Sequence, residues 1–466
     1  LSSDYINFLI SNFKEPRIFV YPGFFIFKDI LMTNIARSGK LNKGQQTAAE
    51  GFFQFLLSPT EKELKISGGG GTGKSHLVSH LIDEVMPRYQ DTCDLLGMKP
   101  DFNDVEMTSL TNKASEVLSV FTGRHVSTIH SFMNLKVQDD YSTGQSKITK
   151  TNGWRIHEGI ILFIDEYSMI DTALDRIIQE GTHNCKIVYV GDHLQMGPVM
   201  EASCPIDRPG RMRTYELTED MRTQIPEIQA LKAQLRETVS TGIFKPIQIV
   251  PGIIDHLDDA QMQLMLAQTF GKQTLDSRIL AYTNKRVVAY NDYIRDVRGL
   301  PDEYTIGELL VNNSAIRLKN SMLSVEEEIE ILSLGSEHEI PIENNVVFKI
   351  RHADLKTRVG GVFKDVPLPS DRAHYAALVT HFRKAKNWPR YYELRNTYPD
   401  LRQRDSATVY KAQGSTYETA FVDLGDISTC HNPNQVARML YVALSREKQR
   451  IFLFGELASK YGGLIY

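Results

Sequence analysis

Short apolar runs recur along the chain, separated by longer segments whose apolar residues have helical spacing. The runs have the length of buried strands, and helical patterns follow several of them, as at 76–86 and 112–120. This alternation is typical of α/β domains built on parallel sheets. The predicted strands lie at 64–66, 159–164, 186–190, 278–282, 419–423 and 451–454.

Two stretches depart from this alternation. Between about residues 305 and 363, short alternating segments with acidic and glycine breaks predict a small β-rich insert. At 141–144, the turn signal Tyr-Ser-Thr-Gly separates two short apolar-polar runs and predicts a β-hairpin within about 134–152. The chain is therefore expected to carry two insertions in an α/β framework.

The first 40 residues differ from the rest. An apolar and aromatic segment at 18–30 is broken by Pro22 and Gly23, and it lacks the basic start and cleavage site of a signal peptide. We interpret it as an accessory element packed on the main fold, with an upstream extension before Met32 as the alternative.

Composition limits the class of protein. At 466 residues the chain suits two to four domains, and 42% hydrophobic with 24% charged residues is the balance of a soluble globular protein. The net charge of −4 excludes a basic footprint over the whole surface, so any nucleic acid must lie in a locally positive groove. The four cysteines have no paired spacing, which argues against a disulfide framework or a zinc site and for a reducing, intracellular setting. No apolar run approaches the length of a membrane span.

A phosphate-binding loop lies at 68–75, where Gly-Gly-Gly-Gly-Thr-Gly-Lys-Ser follows a predicted strand and opens a helix. Glycines allow the backbone N–H groups to point at phosphates, and the helix N-terminus adds a positive dipole. Lys74 is expected to reach the β- and γ-phosphates, and Ser75 to ligate Mg²⁺. The residues predicted to bind nucleotide here are Gly70, Gly71, Thr72, Gly73, Lys74 and Ser75.

Two acids end the apolar run at 160–164, about ninety positions after the phosphate-binding loop. Asp165 is expected to hold Mg²⁺ at the carboxyl end of its strand. Glu166 is expected to accept a proton from the attacking water, or to orient that water. Loop and acids together predict only a nucleoside triphosphatase, since many reactions use this pair.

Further segments narrow the class, because each resembles a helicase motif and all occur in the family's order. They are LNKGQQ at 41–46, DEYSM at 165–169, GDHLQMGPV at 191–199, LTEDMR at 217–222, TVYKAQGS at 408–415 and YVALSR at 441–446. The chain thus resembles the superfamily 1 DNA helicases over nearly its whole length. Met196-Gly197 and Ser445 depart mildly from the usual pattern.

Within that superfamily the resemblance is to the RecD/Dda-like branch. It is carried by STIHS at 127–131, RILAYTNK at 278–285 and KAQGS at 411–415. This branch moves 5′ to 3′ on single-stranded DNA, and its hairpin insert acts as a pin that splits the duplex.

The resemblance implies roles for single residues. Gln45 would hydrogen-bond the adenine edge, and Gln195 would sense the γ-phosphate. Arg222 and Arg446 would reach the γ-phosphate from the second motor domain, where an arginine can raise the rate by roughly 10³–10⁵. Gly414 would contribute to nucleotide binding.

Predicted DNA contacts are hydroxyl, amide and imidazole groups that can hold the phosphate backbone without reading sequence. For the Thr and Ser residues, helix capping is an equally good interpretation. The predicted residues are Thr111, Asn112, His130, Ser131 and Thr408.

The sequence therefore predicts an α/β protein with two RecA-like P-loop motor domains, a β-hairpin insert in the first and a β-rich, SH3-like insert in the second. The predicted bounds are 1–40 for an N-terminal extension, 41–215 for the first domain, 216–300 and 405–466 for the second, and 301–404 for the second insert.

The predicted function is an ATP-dependent and Mg²⁺-dependent DNA helicase acting on single-stranded and forked DNA. We expect a monomeric motor located in the cytoplasm (a host's cytoplasm if phage-encoded), without membrane contact, and with a single-stranded-DNA-binding or replication protein as a candidate partner. Two alternatives stay open. One is a translocase that moves on DNA without separating strands, and the other is a non-motor P-loop kinase or switch.

Overall fold

The computed structural model describes residues 40–198, 201, 203–318, 321–342, 347–358 and 360–466. The extension predicted for 1–40 therefore lies, apart from Lys40, outside the described residues. No helix within the described ranges is both long enough and apolar enough to cross a membrane.

The first α/β domain is built on a parallel sheet with strand order β10-β1-β9-β7-β2-β3. Two of its central strands, at 160–165 and 186–191, are almost entirely apolar because helices cover both faces, and a buried parallel strand has no solvent side. The strands are β1 (Glu63–Gly68), β2 (Asp104–Ser109), β3 (Ser127–Thr128), β4 (Leu135–Asp139), β5 (Ser146–Lys150), β6 (His157–Glu158), β7 (Ile160–Asp165), β8 (Thr182–His183), β9 (Lys186–Gly191) and β10 (Arg213–Leu217). The helices are α1 (Lys43–Leu57), α2 (Lys74–His80), α3 (Met86–Leu95), α4 (Asn112–Thr122), α5 (Ile129–Phe132) and α6 (Thr172–Glu180).

The helix predicted at 76–86 continues beyond Pro87. A π-helical turn at Leu81–Val85 joins α2 to α3, and α3 accepts the proline in its first turn. A proline is tolerated there because the missing N–H has no obligatory partner at a helix start. The predicted pattern ended at Met86, and the structure extends the helical segment to Leu95.

The hairpin insert consists of β4 and β5, which pair antiparallel with Val137 opposite Ile148. Two Asx-type hydrogen bonds close its turn: the Asp140 carboxylate accepts from the backbone N–H of Ser142 at 2.8 Å and of Thr143 at 3.3 Å. Gly144 takes a left-handed φ of 72° at the end of this turn, which favours glycine.

The second α/β domain is discontinuous in the chain and has the parallel strand order β12-β23-β22-β13-β21. Its first segment contains β11 (Ile247–Gln248), β12 (Ile254–Leu257), β13 (Ser277–Ala281), α7 (Pro226–Thr241), α8 (Asp259–Phe270) and α9 (Asn284–Val297).

The insert in the second domain is a mixture of sheet and helix. An antiparallel sheet of order β19-β18-β17-β14-β20 and a small β15–β16 pair are accompanied by two helices that the sequence did not predict. Its strands are β14 (Leu309–Asn312), β15 (Ile316–Leu318), β16 (Ser321–Leu323), β17 (Glu328–Pro341), β18 (Val347–Thr357), β19 (Val362–Pro369) and β20 (Leu401–Gln403), and its helices are α10 (Arg372–Lys384) and α11 (Trp388–Thr397).

The chain then returns to the second domain. The remaining elements are β21 (Ser406–Thr408), α12 (Val409–Ala412), β22 (Tyr417–Asp423), α13 (Leu424–Ile427), α14 (Pro433–Ala443), β23 (Glu447–Phe454) and β24 (Leu464–Ile465). All four cysteines, Cys93, Cys185, Cys204 and Cys430, are free thiols and buried.

One predicted boundary needs correction. The sequence placed the end of the first domain at 215, but β10 continues to Leu217 and pairs with β1 along its whole length. Arg222 therefore lies in the loop that leaves the first sheet, and not within a strand or helix of the second domain.

Candidate active site

The phosphate-binding loop connects the carboxyl end of β1 to the start of α2. Gly71 and Gly73 have positive φ values of 92° and 79°. A Cβ on Gly71 would lie 2.5 Å from the Arg222 Cβ and 2.7 Å from the Asp220 Oδ1, so glycine is required for space as well as for conformation. The backbone N–H of Met221 donates to the Gly71 carbonyl at 2.8 Å, which fixes the 217–222 loop against the phosphate-binding loop.

Lys74 begins α2 and folds back over the loop. Its Nζ donates to the carbonyl oxygens of Gly68 at 2.7 Å and Gly69 at 2.9 Å. Burial lowers the pKa of the Lys74 ammonium, and the negative charges of Asp192, Glu166 and Asp165 oppose that shift. The ammonium thus lies at the mouth of the loop, where phosphate oxygens could replace the two carbonyls as its partners.

The acid pair lies at the carboxyl end of β7. Burial, followed by repulsion from Glu166, raises the pKa of Asp165 to about 7. A bound cation would relieve that repulsion, and the hard oxygen donors of Asp165 and Ser75 suit Mg²⁺. Glu166 has a left-handed φ of 58°, a conformation uncommon for a residue other than glycine. The residues at this strand end therefore fit Mg²⁺ and the charge of a triphosphate.

Two arginines lie directly over the phosphate-binding loop. The ideal Cβ position of Gly70 is 3.2 Å from the Arg222 Nη1 and 3.5 Å from the Arg446 Nη2. Arg222 also donates to the Ser445 carbonyl at 3.2 Å, so the two arginines share one site. Burial and the neighbouring charge of Arg446 lower the pKa of Arg222 to about 10. Two guanidinium groups held this close repel each other, and an anion between them would remove that repulsion.

The 191–199 segment joins the loop to the second domain through Asp192. This carboxylate is fully buried and accepts from Tyr441 Oη at 2.6 Å and Arg236 Nη1 at 3.3 Å. Burial disfavours its ionised form, but Arg236 and Lys74 outweigh burial and hold the pKa of Asp192 below its ordinary value. Asp192 therefore does more than cap a turn, because it connects residues of both domains.

Gln195, predicted to sense the γ-phosphate, is buried in the same segment. Its Nε2 lies 3.4 Å from Asp192 Oδ2, and its Oε1 accepts no hydrogen bond from the described residues. Arg438 of α14 donates to the carbonyls of His193 at 2.7 Å and of Gln195. Leu194 and Met196 pack into the core of the second domain, so a movement of that domain would be transmitted to Gln195.

Gln45 lies on the buried face of α1, against the phosphate-binding loop. Its Nε2 donates to the carbonyls of Gly73 at 3.3 Å and Thr72 at 3.4 Å. These contacts place the side chain beside the nucleotide loop, and its role at the adenine edge stays a prediction.

Gln413 and Gly414 follow α12 and extend from the second domain to the acid pair. The Gln413 Nε2 donates to Glu166 Oε2 at 3.2 Å and to Ser168 Oγ at 3.4 Å. Gly414 has a φ of 77°, and its ideal Cβ position is 3.8 Å from Glu166 Oε1. Gly414 was predicted to contact nucleotide; in this structure it lies next to Glu166.

The predicted DNA-contacting hydroxyls begin helices. Thr111 caps α4 by accepting from Ala114 N at 3.1 Å, and Thr408 caps α12 by accepting from Lys411 N at 3.4 Å. Capping uses the hydroxyl oxygen as an acceptor, which leaves its hydrogen able to donate to a phosphate. Asn112 and Ser131 are exposed.

His130 is half-buried, and burial lowers its pKa, with the Asp171 charge opposing the shift. The imidazole is therefore neutral at pH 7, so any contact that it makes with a phosphate is a hydrogen bond and not an ion pair.

The cations nearest to these segments already have acidic partners in the second insert. Lys113 Nζ lies 3.6 Å from Glu328 Oε1, and Lys411 Nζ lies 2.8 Å from Glu326 Oε1. Phosphates bound along this face would compete with those carboxylates. The positive charges of these two lysines are therefore offset by carboxylates in this structure.

The hairpin tip rests against α11 of the second insert. The Tyr141 and Tyr392 ring centroids are 5.1 Å apart, and Asn396 Nδ2 donates to Asp139 Oδ2 at 3.1 Å. A Cβ on Gly144 would fall 2.5 Å from the Trp388 ring, so the turn backbone lies directly on that indole. Tyr141 remains 52% exposed, which leaves an aromatic face open to solvent at the tip.

Sequence reasoning missed several residues that complete this site. Tyr441 and Gln413 stand inside the quoted motifs, and their polar side chains between apolar neighbours were an available signal. The remaining two, Arg236 and Arg438, are single arginines on amphipathic helices, and only the packing of those helices shows what they contact.

Two family models match the chain. Residues 57–201 match an AAA domain, and residues 406–454 match the UvrD-like helicase C-terminal domain. The first match contains the phosphate-binding loop and the acid pair, and the second contains Gln413 and Arg446.

Similar proteins extend over most of the chain. The ATP-dependent DNA helicase dda of Enterobacteria phage T4 is 22% identical over 88% of this chain and 98% of its own length. An uncharacterised protein of Acanthamoeba polyphaga mimivirus is 21% identical over 88% of this chain and 99% of its own. Among solved structures, the Pif1 helicase from Bacteroides in complex with ADP-AlF3 and ssDNA aligns with a TM-score of 0.48 and 13% identity, covering 92% of this chain and 95% of that one. The chain is thus similar to an AAA domain where it carries the phosphate-binding loop, to a UvrD-like helicase C-terminal domain where it carries Arg446, and to the phage helicase over most of its length.

Proposed function

We propose that this chain is an ATP-dependent DNA helicase that moves 5′ to 3′ on single-stranded DNA and hydrolyses ATP between its two α/β domains. The observation that carries the proposal is the approach of Arg222 and Arg446 to the phosphate-binding loop, at 3.2 and 3.5 Å from the ideal Cβ position of Gly70. Guanidinium groups held there stabilise charge that develops on a transferred phosphoryl group.

The remaining residues have roles that follow from their positions. Lys74 neutralises phosphate charge, Ser75 and Asp165 hold Mg²⁺, and Glu166 takes a proton from the attacking water. Gln195 reports the γ-phosphate to the second domain, because the neighbouring residues of its segment pack into that domain's core. The bound Mg²⁺ would neutralise charge on the β- and γ-phosphate oxygens. Gln45 contributes to recognition of adenine.

Single-stranded DNA is the proposed substrate, and its proposed contacts are Thr111, Asn112, His130, Ser131 and Thr408, of which Thr408 is buried in this structure. The hairpin tip is the proposed wedge that separates the strands of a fork. A monomer suffices for this function, since one chain supplies both sides of the cleft. An intracellular setting agrees with four free thiols, and a single-stranded-DNA-binding or replication protein is a fitting partner.

The test has two stages. ATP hydrolysis is measured without nucleic acid, with single-stranded DNA and with RNA, and strand release is then measured on forks with a 5′ or a 3′ single-stranded tail. We expect stimulation by single-stranded DNA and release from the 5′-tailed fork. Stimulation without strand release would favour a translocase. No stimulation by any nucleic acid would contradict a motor and favour a P-loop kinase or switch.

A further inference from the structure

The contact between Gln413 and Glu166 joins the two domains at the point where the proposed base lies. Gln413 belongs to the second domain, since it follows α12, whereas Glu166 follows β7 in the first. The two residues are 247 positions apart, yet the Gln413 Nε2 lies 3.2 Å from Glu166 Oε2. None of the roles proposed above uses this amide.

The amide holds one carboxylate oxygen and leaves the other available. Because Nε2 donates to Oε2, rotation of the Glu166 carboxyl group is restricted and Oε1 remains as the acceptor for a water. Gly414 lies beside Oε1, with its ideal Cβ position 3.8 Å away, and its left-handed φ of 77° favours glycine there.

The carbonyl oxygen of the Gln413 side chain has no hydrogen-bond donor among the described residues. This Gln413 Oε1 is also shielded from solvent. A buried carbonyl oxygen without a donor is costly, so a site that retains one usually uses it. Because Oε1 belongs to the same amide that holds Glu166, this side chain also supplies an acceptor for the second hydrogen of a water held by Glu166.

We propose that Gln413 is a positioning residue, which fixes the Glu166 carboxylate by donation from Nε2 and orients the attacking water through Oε1. This role rests on the proposed ATP hydrolysis. As the water oxygen bonds to the γ-phosphorus and the bond to the β–γ bridging oxygen breaks, one water proton passes to Glu166 and the other hydrogen stays directed at Gln413. Because Gln413 comes from the second domain, the base is held in place only while the cleft is closed.

The test compares variants that separate hydrogen bonding from packing. Gln413→Met keeps the length and volume of the side chain but removes donor and acceptor, and Gln413→Ala also removes the packing. The measurements are kcat and KM for ATP at saturating single-stranded DNA, affinity for a non-hydrolysable ATP analogue, and thermal melting. The matched control is Gln179→Met, which removes a comparable donation to Glu63 Oε1, at 2.7 Å, on an exposed helix face of the first domain.

We expect kcat to fall by about 10-fold to 100-fold in both Gln413 variants, because a misplaced water or base loses most of the benefit of orientation. KM, analogue affinity and melting should stay within about 2-fold or a few degrees of wild type. The Gln179 variant should hydrolyse ATP at the wild-type rate.

A wild-type kcat in Gln413→Met would overturn the positioning role and leave only packing. Equal changes in kcat and analogue affinity would also overturn it, since Gln413 would then act on nucleotide binding. Failure of the proposed function looks different in the same assay, because wild-type protein itself would then show no hydrolysis.

Discussion

At the scale of single residues, the site combines groups whose partners explain their roles with groups that still lack partners. Burial and neighbouring charges together shift the pKa values of Lys74, Asp192 and Arg222. Gln195 Oε1, Gln413 Oε1 and both carboxylate oxygens of Glu447 accept no hydrogen bond from the described residues. Gln195 and Gln413 belong to segments that contact both domains, so single substitutions there separate one role from another.

Lys74→Ala is expected to abolish ATP hydrolysis while the fold and most DNA binding persist. The ammonium donates to two carbonyls of the phosphate-binding loop, so its loss removes a positive charge from that loop. Turnover and circular dichroism check this, with DNA affinity measured in the absence of nucleotide. A variant that hydrolyses ATP at the wild-type rate would show that the loop is not the catalytic site.

Arg446→Ala is expected to lower kcat by about 10³-fold and to change KM for ATP much less, because the guanidinium acts mainly on charge that develops in the transition state. Arg450→Ala is the matched control, since Arg450 lies in β23, the strand that follows Arg446, and pairs with Asp255 at 2.8 Å. The measurement is kcat and KM for ATP, from steady-state kinetics in the presence of single-stranded DNA. Equal losses of affinity and turnover would make Arg446 a ligand of the ground state instead.

Glu447 should make the protein less stable as pH rises from about 4.5 to 7. Burial raises the pKa of this carboxyl from 4.5 to about 7, although Lys232, Arg446 and Arg222 oppose the shift. The unfolded chain releases the proton at lower pH than the folded one, so the folded state is progressively disfavoured across that window. Above pH 7 the penalty is complete and on the order of 3 kcal/mol.

Glu447→Gln should therefore melt at a higher temperature than wild type at pH 8, and the difference should vanish near pH 4.5. Glu339→Gln, at an exposed position of β17, is the control and should leave the pH dependence unchanged. Melting curves at several pH values provide the measurement. A Glu447 variant that is less stable at pH 8 would mean that the buried carboxylate has favourable partners.

At the scale of elements, most of the two α/β sheets could be predicted from the sequence, because buried parallel strands consist of continuous apolar runs. The run predicted at 159–164 became β7 (Ile160–Asp165), and that at 186–190 became β9 (Lys186–Gly191). Helix ends were less readable, as Pro87 shows, since a proline inside a pattern marks either an end or a first turn. The residues of the phosphate-binding loop and of the acid pair could be predicted from the sequence because each set lies within one short segment.

Contacts between residues far apart in the chain could not be predicted from the sequence. Gln413 and Glu166, or Asp192 and Tyr441, meet only after both domains have folded and packed. Helices α10 and α11 were also not predicted. Their aromatic residues pack against the insert sheet and the hairpin tip, and the local sequence does not indicate these long-range contacts.

Replacement of residues 141–144 by a Gly-Ser linker should leave DNA-stimulated ATP hydrolysis nearly unchanged and reduce strand separation sharply. The tip contacts α11 and lies outside the nucleotide cleft, so the motor reaction does not depend on it. Trp388→Ala tests separately whether the contact with α11 is needed for strand separation, because it keeps the hairpin sequence and removes the indole that lies against Gly144. Survival of both activities in both variants would identify the hairpin as a surface loop.

At the scale of the whole molecule, the net charge of −4 predicts that DNA is bound in one restricted groove. Log affinity should fall with log salt at about −0.7 for each phosphate contact on a single strand. Lys113 and Lys411 must exchange carboxylate partners for phosphates, which limits the number of such contacts. Fluorescence anisotropy across a salt series measures the slope, and an affinity independent of salt would contradict the groove.

Direction of movement is a property of the same scale. A 5′ single-stranded tail should support loading and unwinding of a fork, whereas a blunt duplex should not. Product release from tailed substrates, resolved by gel, is the measurement. A preference for a 3′ tail would contradict the branch that the motifs resemble, and the resemblance to superfamily 1 would remain.

The burial of all four thiols has a practical consequence for observing this motor at work. Maleimide dyes react with accessible thiolates, so the folded protein should take up little label without any cysteine being removed. A cysteine introduced at exposed Gln179 in the first domain and another at exposed Lys460 in the second would then carry a donor and an acceptor fluorophore. The opening and closing of the cleft could be recorded one molecule at a time, in a chain otherwise unchanged.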